Sequence, residues 1–452
     1  MTTTGITAID EAMDKATSVR LIGRRLGTHL LDHAEAIGMD LDSIAAPTRD
    51  KYLDVLRHLT FRLGADELLS GTGSFGVRLR RALDDLEPTP HLAVIGFLQG
   101  LCLGALGAEF KAAYGPIELQ RGDPFPLPDL PRNEVCTNLT PDPVRTIRRE
   151  RPLARVRWEV FDAAIKAVLD FSDRDNLDAA CWNETESNFR RVGVIHPFPA
   201  SELQLPAADV TDTDWFGVGP KPAAFNVDTI TAHLETLANC GAALLPELCA
   251  PTPDVLADVI ADRHDQLPDL IVAGSAHTET ATASGPTRFS NTANVYLRGA
   301  HLFSHDKVHP FETDSVEVLG FEATDKLPER LSRANRRLTI ACGDRIRMTV
   351  VICADSFDAD VVNTIHRVCA NFVLVPTFTF SWAGVRDLDQ VANQNQGAAV
   401  AVNGSAYPFT VMVVGPEAQV PLAFHDHPDS DQFPVCGTVD PSRPNVPPEW
   451  CV

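Results

Sequence analysis

Basic residues are scarce in this chain. Lys and Arg total 39 against 61 Asp and Glu, a net charge of −22. That balance favours solubility and removes the electrostatic basis for binding nucleic acid or an anionic membrane. Paired cysteines are missing too: the ten are scattered without paired spacing. Reduced thiols are expected rather than a disulfide framework, which fits a cytoplasmic protein. The opening MTTTGITAIDEAMDK has no apolar core, so no signal peptide is expected. One charge-free apolar run, Leu92–Ala108, has 17 residues and a ladder of Gly96, Gly100 and Gly104. It falls short of the ~20 residues a membrane span needs and lacks flanking aromatic or basic anchors. A buried, glycine-packed helix is the expectation.

The stretch RIRMTVVICADSF, Arg345–Phe357, organises what remains. Met348, Val350, Val351 and Ile352 read as a buried strand that ends on Cys353. A helical pattern opens at Asp358, with Val361, Val362, Ile365 and Val368 on one face. A thiol between a buried strand and a helix N-terminus is expected to be held rigidly, partly exposed and biased toward thiolate. Two more strand-like runs end on reactive groups: NCGAALLPEL on Glu247, and NVYLRGAHLFSHDK on Lys307. Thiol, carboxylate and ammonium together suit acyl transfer through a thioester, with the carboxylate moving protons and the ammonium facing the tetrahedral oxyanion.

On the motifs LLPE at Leu244–Glu247, HDKVHPF at His305–Phe311 and VVICAD at Val350–Asp355, the chain resembles the nitrilase (carbon–nitrogen hydrolase) superfamily. FSNTA with Asn291, Gly299 before the lysine, VPTFTFSW and the segment ending near Asn403 are weaker marks of the same family. The resemblance covers about residues 190–440. It implies Cys353 as nucleophile, Glu247 as general base and acid, Lys307 as oxyanion stabiliser and the Ala354 backbone N–H as second oxyanion donor. The family often adds a second glutamate after the lysine, for which Glu312 is the candidate. Ala354-Asp355 after the cysteine resembles the amidase and carbamoylase branches, where nitrile-cleaving relatives usually carry Trp-Glu. The expected substrate is therefore a small-molecule amide or ureide. Nitrile hydrolysis, N-acyl transfer and a non-catalytic scaffold role are the alternatives. Phe378, Phe380 and Trp382 are candidates for an apolar acyl pocket.

The expected architecture is an all-α domain over residues 1–120, a Pro- and Arg-rich linker with a connecting helix over 121–189, and an α/β domain over 190–452. The resemblance makes the last an αββα sandwich that pairs into homo-oligomers. The connecting helix is expected at Trp158–Phe171, after six arginines between Arg145 and Arg157. Gly71, Gly73 and Gly76 spell GxGxxG without a preceding strand, so a turn is expected there rather than a dinucleotide site. His301, His305 and His309 lie on strand and loop, where a spacing of four does not converge them. No metal or other cofactor is implied.

Overall fold

The computed structural model describes residues 117–452 except for several segments, the longest being 129–155, 205–218 and 314–326. The expected N-terminal helices, the glycine ladder, the GxGxxG turn and most of the arginine run lie outside the described residues. The chain divides into two compact units, Met1–Pro131 with Thr140–Asp162, and Arg132–Leu139 with Ala163–Val452.

In the first unit the described elements are strands: β1 (Ile117–Leu119), β2 (Pro124–Pro128) and β3 (Val156–Val160). β2 and β3 pair antiparallel, with Phe125 opposite Glu159. Of the Pro-rich stretch, the described residues Pro124–Pro128 are extended. The helix expected at Trp158–Phe171 is not there. Its first part is β3, and its last part, in the second unit, is β4 (Lys166–Asp170). Val156, Trp158 and Val160 alternate at the strand period, and the buried run Ala167, Val168, Leu169 is too short for periodicity to tell helix from strand.

The second unit continues with helix α1 (Arg174–Cys181), β5 (Val192–His196), the small pair β6 (Leu203–Gln204) and β7 (Gly219–Pro220), and α2 (Val227–Thr236). Next come β8 (Ala242–Leu244), α3 (Ala257–Asp262), β9 (Leu270–Thr280), β10 (Arg288–Leu297) and β11 (Ala300–Asp306). A second small pair, β12 (Glu312–Thr313) and β13 (Leu327–Pro328), precedes β14 (Arg337–Cys342) and β15 (Arg347–Val350). Helix α4 (Ala359–Arg367) then leads to β16 (Phe372–Thr377), β17 (Ala398–Asn403), β18 (Val411–Val414), β19 (Leu422–His425), β20 (Val435–Val439) and β21 (Glu449–Cys451). The strand-like run expected up to Lys307, NVYLRGAHLFSHDK, is the second half of the hairpin β10–β11 and its turn. It turns at Arg298 and Gly299, both at positive φ, as a two-residue turn of this twist requires.

One sheet runs β4-β14-β15-β16-β17-β18-β19 and the other β11-β10-β9-β8-β5-β20-β21. Each has parallel strands at its centre, β15-β16-β17 and β5-β8-β9; the pairings outside them are antiparallel except β4-β14, which is parallel. Central strands buried on both faces should read as unbroken apolar runs, and VGVIH, FVLVPT and AAVAVN do. The sheets pack face to face: Val192, Val194, Leu244, Val272 and Val295 meet Met348, Val350, Phe372, Leu374 and Val400 in one core. Burying each such side chain stabilises by roughly 1.5–3 kcal/mol. Alternate residues on the second sheet, Ile195, Ala243, Ile271 and Tyr296, pack outward against Ile230 and Leu234 of α2 and Ile260 of α3. α4 is the crossover between parallel β15 and β16. None of its residues belongs to the inter-sheet core, so its buried Val361, Val362 and Ile365 serve the opposite face. Among the described residues no helix is long and apolar enough to cross a membrane.

Candidate active site

Three chain segments leave strand ends and converge. Glu247 follows β8 by three residues, in a turn where Leu248 takes φ 59° and donates its N–H to Ser275 Oγ at 3.1 Å. Gly274 packs beneath this turn at φ 77°. A Cβ there would lie 2.8 Å from the Pro246 carbonyl and against the Cys249 sulfur. Only glycine lets β9 approach the glutamate turn so closely. Lys307 directly follows β11, its backbone N–H bonded to the Asn291 carbonyl at 2.8 Å. Cys353 ends the apolar run after β15 at φ 44°, a conformation disfavoured for a residue with a Cβ. Such a strained turn at a strand end is a mark of a functional residue.

The charged side chains form one buried network. Lys307 Nζ donates to Glu247 Oε1 and to Glu329 Oε2, both at 2.7 Å. Asn291 Nδ2 bridges the same two carboxylates, at 2.8 Å to Glu247 Oε1 and 3.0 Å to Glu329 Oε1. His277, opposite Asn291 in the β9–β10 register, places Nε2 2.7 Å from Glu329 Oε1. The Cys353 thiol donates to the Phe378 carbonyl at 3.5 Å and also interacts with Glu247 and Thr377. Asp355, two residues on, is fully buried and bonds the backbone just past Lys307.

Burial dominates the electrostatics. It raises the Glu247 carboxyl above its ordinary value; Lys307 opposes the rise and Glu329 adds to it. Burial also disfavours the Lys307 ammonium, but Glu247 and Glu329 outweigh it and hold its pKa well above normal. Glu329 goes the other way, its burial overcome by Lys307 and His277, so it stays ionised. The Cys353 thiol is pushed up to about 12 by burial and by Glu247, with Lys307 opposing. The partly exposed thiolate expected from the sequence is therefore corrected. Cys353 is 3% exposed, and the residues after it form a short 3-10 turn (Cys353–Phe357) rather than an α-helix. α4 begins six residues later, and its first N–H groups are taken by the Asp358 side chain. With the dipole absent, a base must remove the proton.

The structure brings together Glu247, Lys307 and Cys353, with Ala354 buried next to the thiol. Glu312 pairs its backbone with Pro328 in β12–β13, and its side chain lies outside the described ones. The carboxylate against Lys307 is Glu329, one residue past β13. Sequence reasoning missed it because 22 positions separate it from the lysine. The only local signal was a Pro-Glu pair like that at Pro246-Glu247. Phe378 is buried, and its side chain packs in the layer with α2 and α3. Phe380 and Trp382 lie outside the described residues. The three histidines go separate ways: His301 to Ser304, His305 to Asp355, and His309 to Asp358. Among the described residues no group of three or more His, Cys, Asp or Glu could hold a metal ion.

Among solved structures, the chain is similar to an amidase from Nesterenkonia sp., at 18% identity over 56% of this chain and 89% of that one, with a TM-score of 0.36. It is similar also to a cysteine-to-serine variant of the Nesterenkonia AN1 amidase from the nitrilase superfamily, at 17% identity over 58% and 89% of the two chains, with a TM-score of 0.35. No family model matches the chain, and no curated protein does.

Proposed function

We propose that this chain is a thiol-dependent carbon–nitrogen hydrolase of the nitrilase type, cleaving a small amide or ureide through a thioester on Cys353. The observation that carries this reading is the meeting of a buried carboxylate, ammonium and thiol at strand ends. Glu247 lies 2.7 Å from Lys307 and interacts with Cys353. Lys307 and Asn291 both donate to Oε1 of Glu247, which leaves Oε2 to exchange protons with the thiol.

As the Glu247 carboxylate takes the thiol proton, Sγ attacks the carbonyl carbon. The oxyanion is met by Lys307 Nζ and by the Ala354 backbone N–H. Glu247 passes the proton to the departing nitrogen, the C–N bond breaks, and an amine or ammonia leaves the thioester. Water then attacks with Glu247 as base, releasing the acid and restoring the thiol. The raised carboxyl and raised thiol suit this exchange, because burial disfavours charge on both partners. Glu329 stays anionic and holds Lys307 charged, which an oxyanion stabiliser needs.

In this reading the protein is a cytoplasmic homo-oligomer, and Phe378, Phe380 and Trp382 form part of the acyl pocket. Ammonia release from a panel of primary amides and ureides tests it. Wild type should turn over at least one member and Cys353→Ser none. An active Cys353→Ser variant would refute the thioester route.

A further inference from the structure

The lysine and the thiol come from different sheets. β11, which ends just before Lys307, is the outermost strand of one sheet. Cys353 follows β15 in the other. Their alignment therefore depends on what joins the two loops after they leave their ladders. Lys307 makes its last sheet-type bond through its own N–H to the Asn291 carbonyl. The next two N–H groups turn to Asp355: Val308 N–H donates to both its oxygens at 3.0 and 3.1 Å, and His309 N–H to Oδ1 at 2.7 Å. His305, two residues before Lys307, places Nε2 3.1 Å from Oδ2. Asp355 itself sits in the nucleophile turn, its N–H bonded to the Ile352 carbonyl at 3.0 Å. Asp355 is fully buried and His305 is 1% exposed.

We infer that Asp355 is a positioning residue that pins the Lys307 loop to the nucleophile turn and so sets the lysine against the oxyanion formed at Cys353. This rests on the hydrolase reading for its consequence, though not for the pin itself. An acceptor side chain is required because its partners are the Val308 and His309 N–H groups and the His305 ring, none of which can be satisfied by an apolar side chain. Freed from the pin, the segment keeps, among the described contacts, the Lys307 ladder bond and the His309 ring 2.9 Å from Asp358 Oδ2. A displacement of about 1 Å at Nζ is enough to lower turnover by about 100-fold.

The test compares wild type, D355A and D355N as full chains, reading both steady-state kinetics and amide hydrogen exchange at Val308 and His309. D355A should exchange both amides faster while the amides of β15 and β16 stay protected. Its kcat should fall by about 100-fold with KM little changed. D355N keeps one acceptor for the two N–H groups and can turn its Nδ2 to the other His305 tautomer, so it should recover protection and turnover together. It also carries the test if D355A does not fold, because any loss of protection and any loss of kcat must then rise in step. Unchanged exchange in the variants overturns the inference, as does faster exchange with kcat intact. A D355N protein that is protected yet as slow as D355A overturns it too, since charge rather than placement would then matter. If wild type cleaves no amide, the hydrolase reading falls, and the pin is decided by the exchange rates alone.

Discussion

Two cysteines in neighbouring strands separate burial from reactivity. Cys342 closes β14 and Cys353 follows β15, the strand paired with it. Both are buried, and burial pushes both thiols up to about 12. Each also feels one cation and one carboxylate, Arg347 and Asp170 at Cys342, Lys307 and Glu247 at Cys353. The difference lies in geometry. Cys342 is in regular strand, its thiol spent on the Ile340 carbonyl two residues back. Arg347 is committed to the Val368 carbonyl at 2.7 Å, and a guanidinium does not give up its proton. Cys353 has left the ladder at positive φ, beside a carboxylate that itself resists ionisation and a lysine shared between two acids. A perturbed thiol alone does not mark a nucleophile; in the proposed reading, a carboxylate and a lysine brought against it from two other strand ends do.

The sharpest break of that comparison is substitution. Cys353→Ala should abolish amide turnover, by about 10⁴-fold or more, while Cys342→Ala should cost only about 1–2 kcal/mol of stability and leave kcat near wild type. Steady-state rates beside thermal melts decide it; equal losses in both would mean the two thiols were wrongly distinguished.

Lys307→Ala and Glu247→Gln should each lower kcat by about 10³-fold, and their double variants with Cys353→Ala should be scarcely slower than the single ones. Multiplicative losses would show that the groups do not act on one substrate.

Smaller, and specific to Glu247, is the acid limb of kcat/KM. Burial and Glu329 raise this carboxyl, so it takes up its proton at a pH above the ordinary 4.5, and activity should begin to fall there rather than at 4.5. Glu329→Gln removes a negative charge, so the limb should move to lower pH. A limb that stays fixed or rises would separate Glu329 from Glu247.

The smallest effect is in labelling. Both thiols resist ionisation, so neither should react quickly at pH 7 with a bulky maleimide. A small neutral haloacetamide that fits the site should label Cys353 first, as mapped by peptide mass. Prior labelling of Cys342 would reverse the assignment of access.

Local pattern carried much of this molecule. Strands as buried as VGVIH, FVLVPT and AAVAVN are readable because parallel central strands demand unbroken apolar runs, and β5, β16 and β17 lie where those runs stand. The hairpin into the nucleophile strand was legible for the same reason, since Gly343-Asp344 separates two apolar runs. The strands at β3 and β4 were misread because runs of three to five residues have no period that excludes a helix.

Sequence by itself determined which residues stand at strand ends: Glu247 after a Pro, Lys307 after a strand-like run and Cys353 after four apolar positions. Strand periodicity and turn residues are properties of neighbours along the chain. Only the tertiary structure decided who faces whom. It placed Glu329 rather than a nearer glutamate against Lys307, made His277 and Asn291 its partners, and turned Asp355 onto the lysine loop. It also decided the charge states, burying a thiol that local pattern had left half exposed. Burial and cross-sheet hydrogen bonds depend on the packing of two sheets, and no local pattern in the chain encodes them.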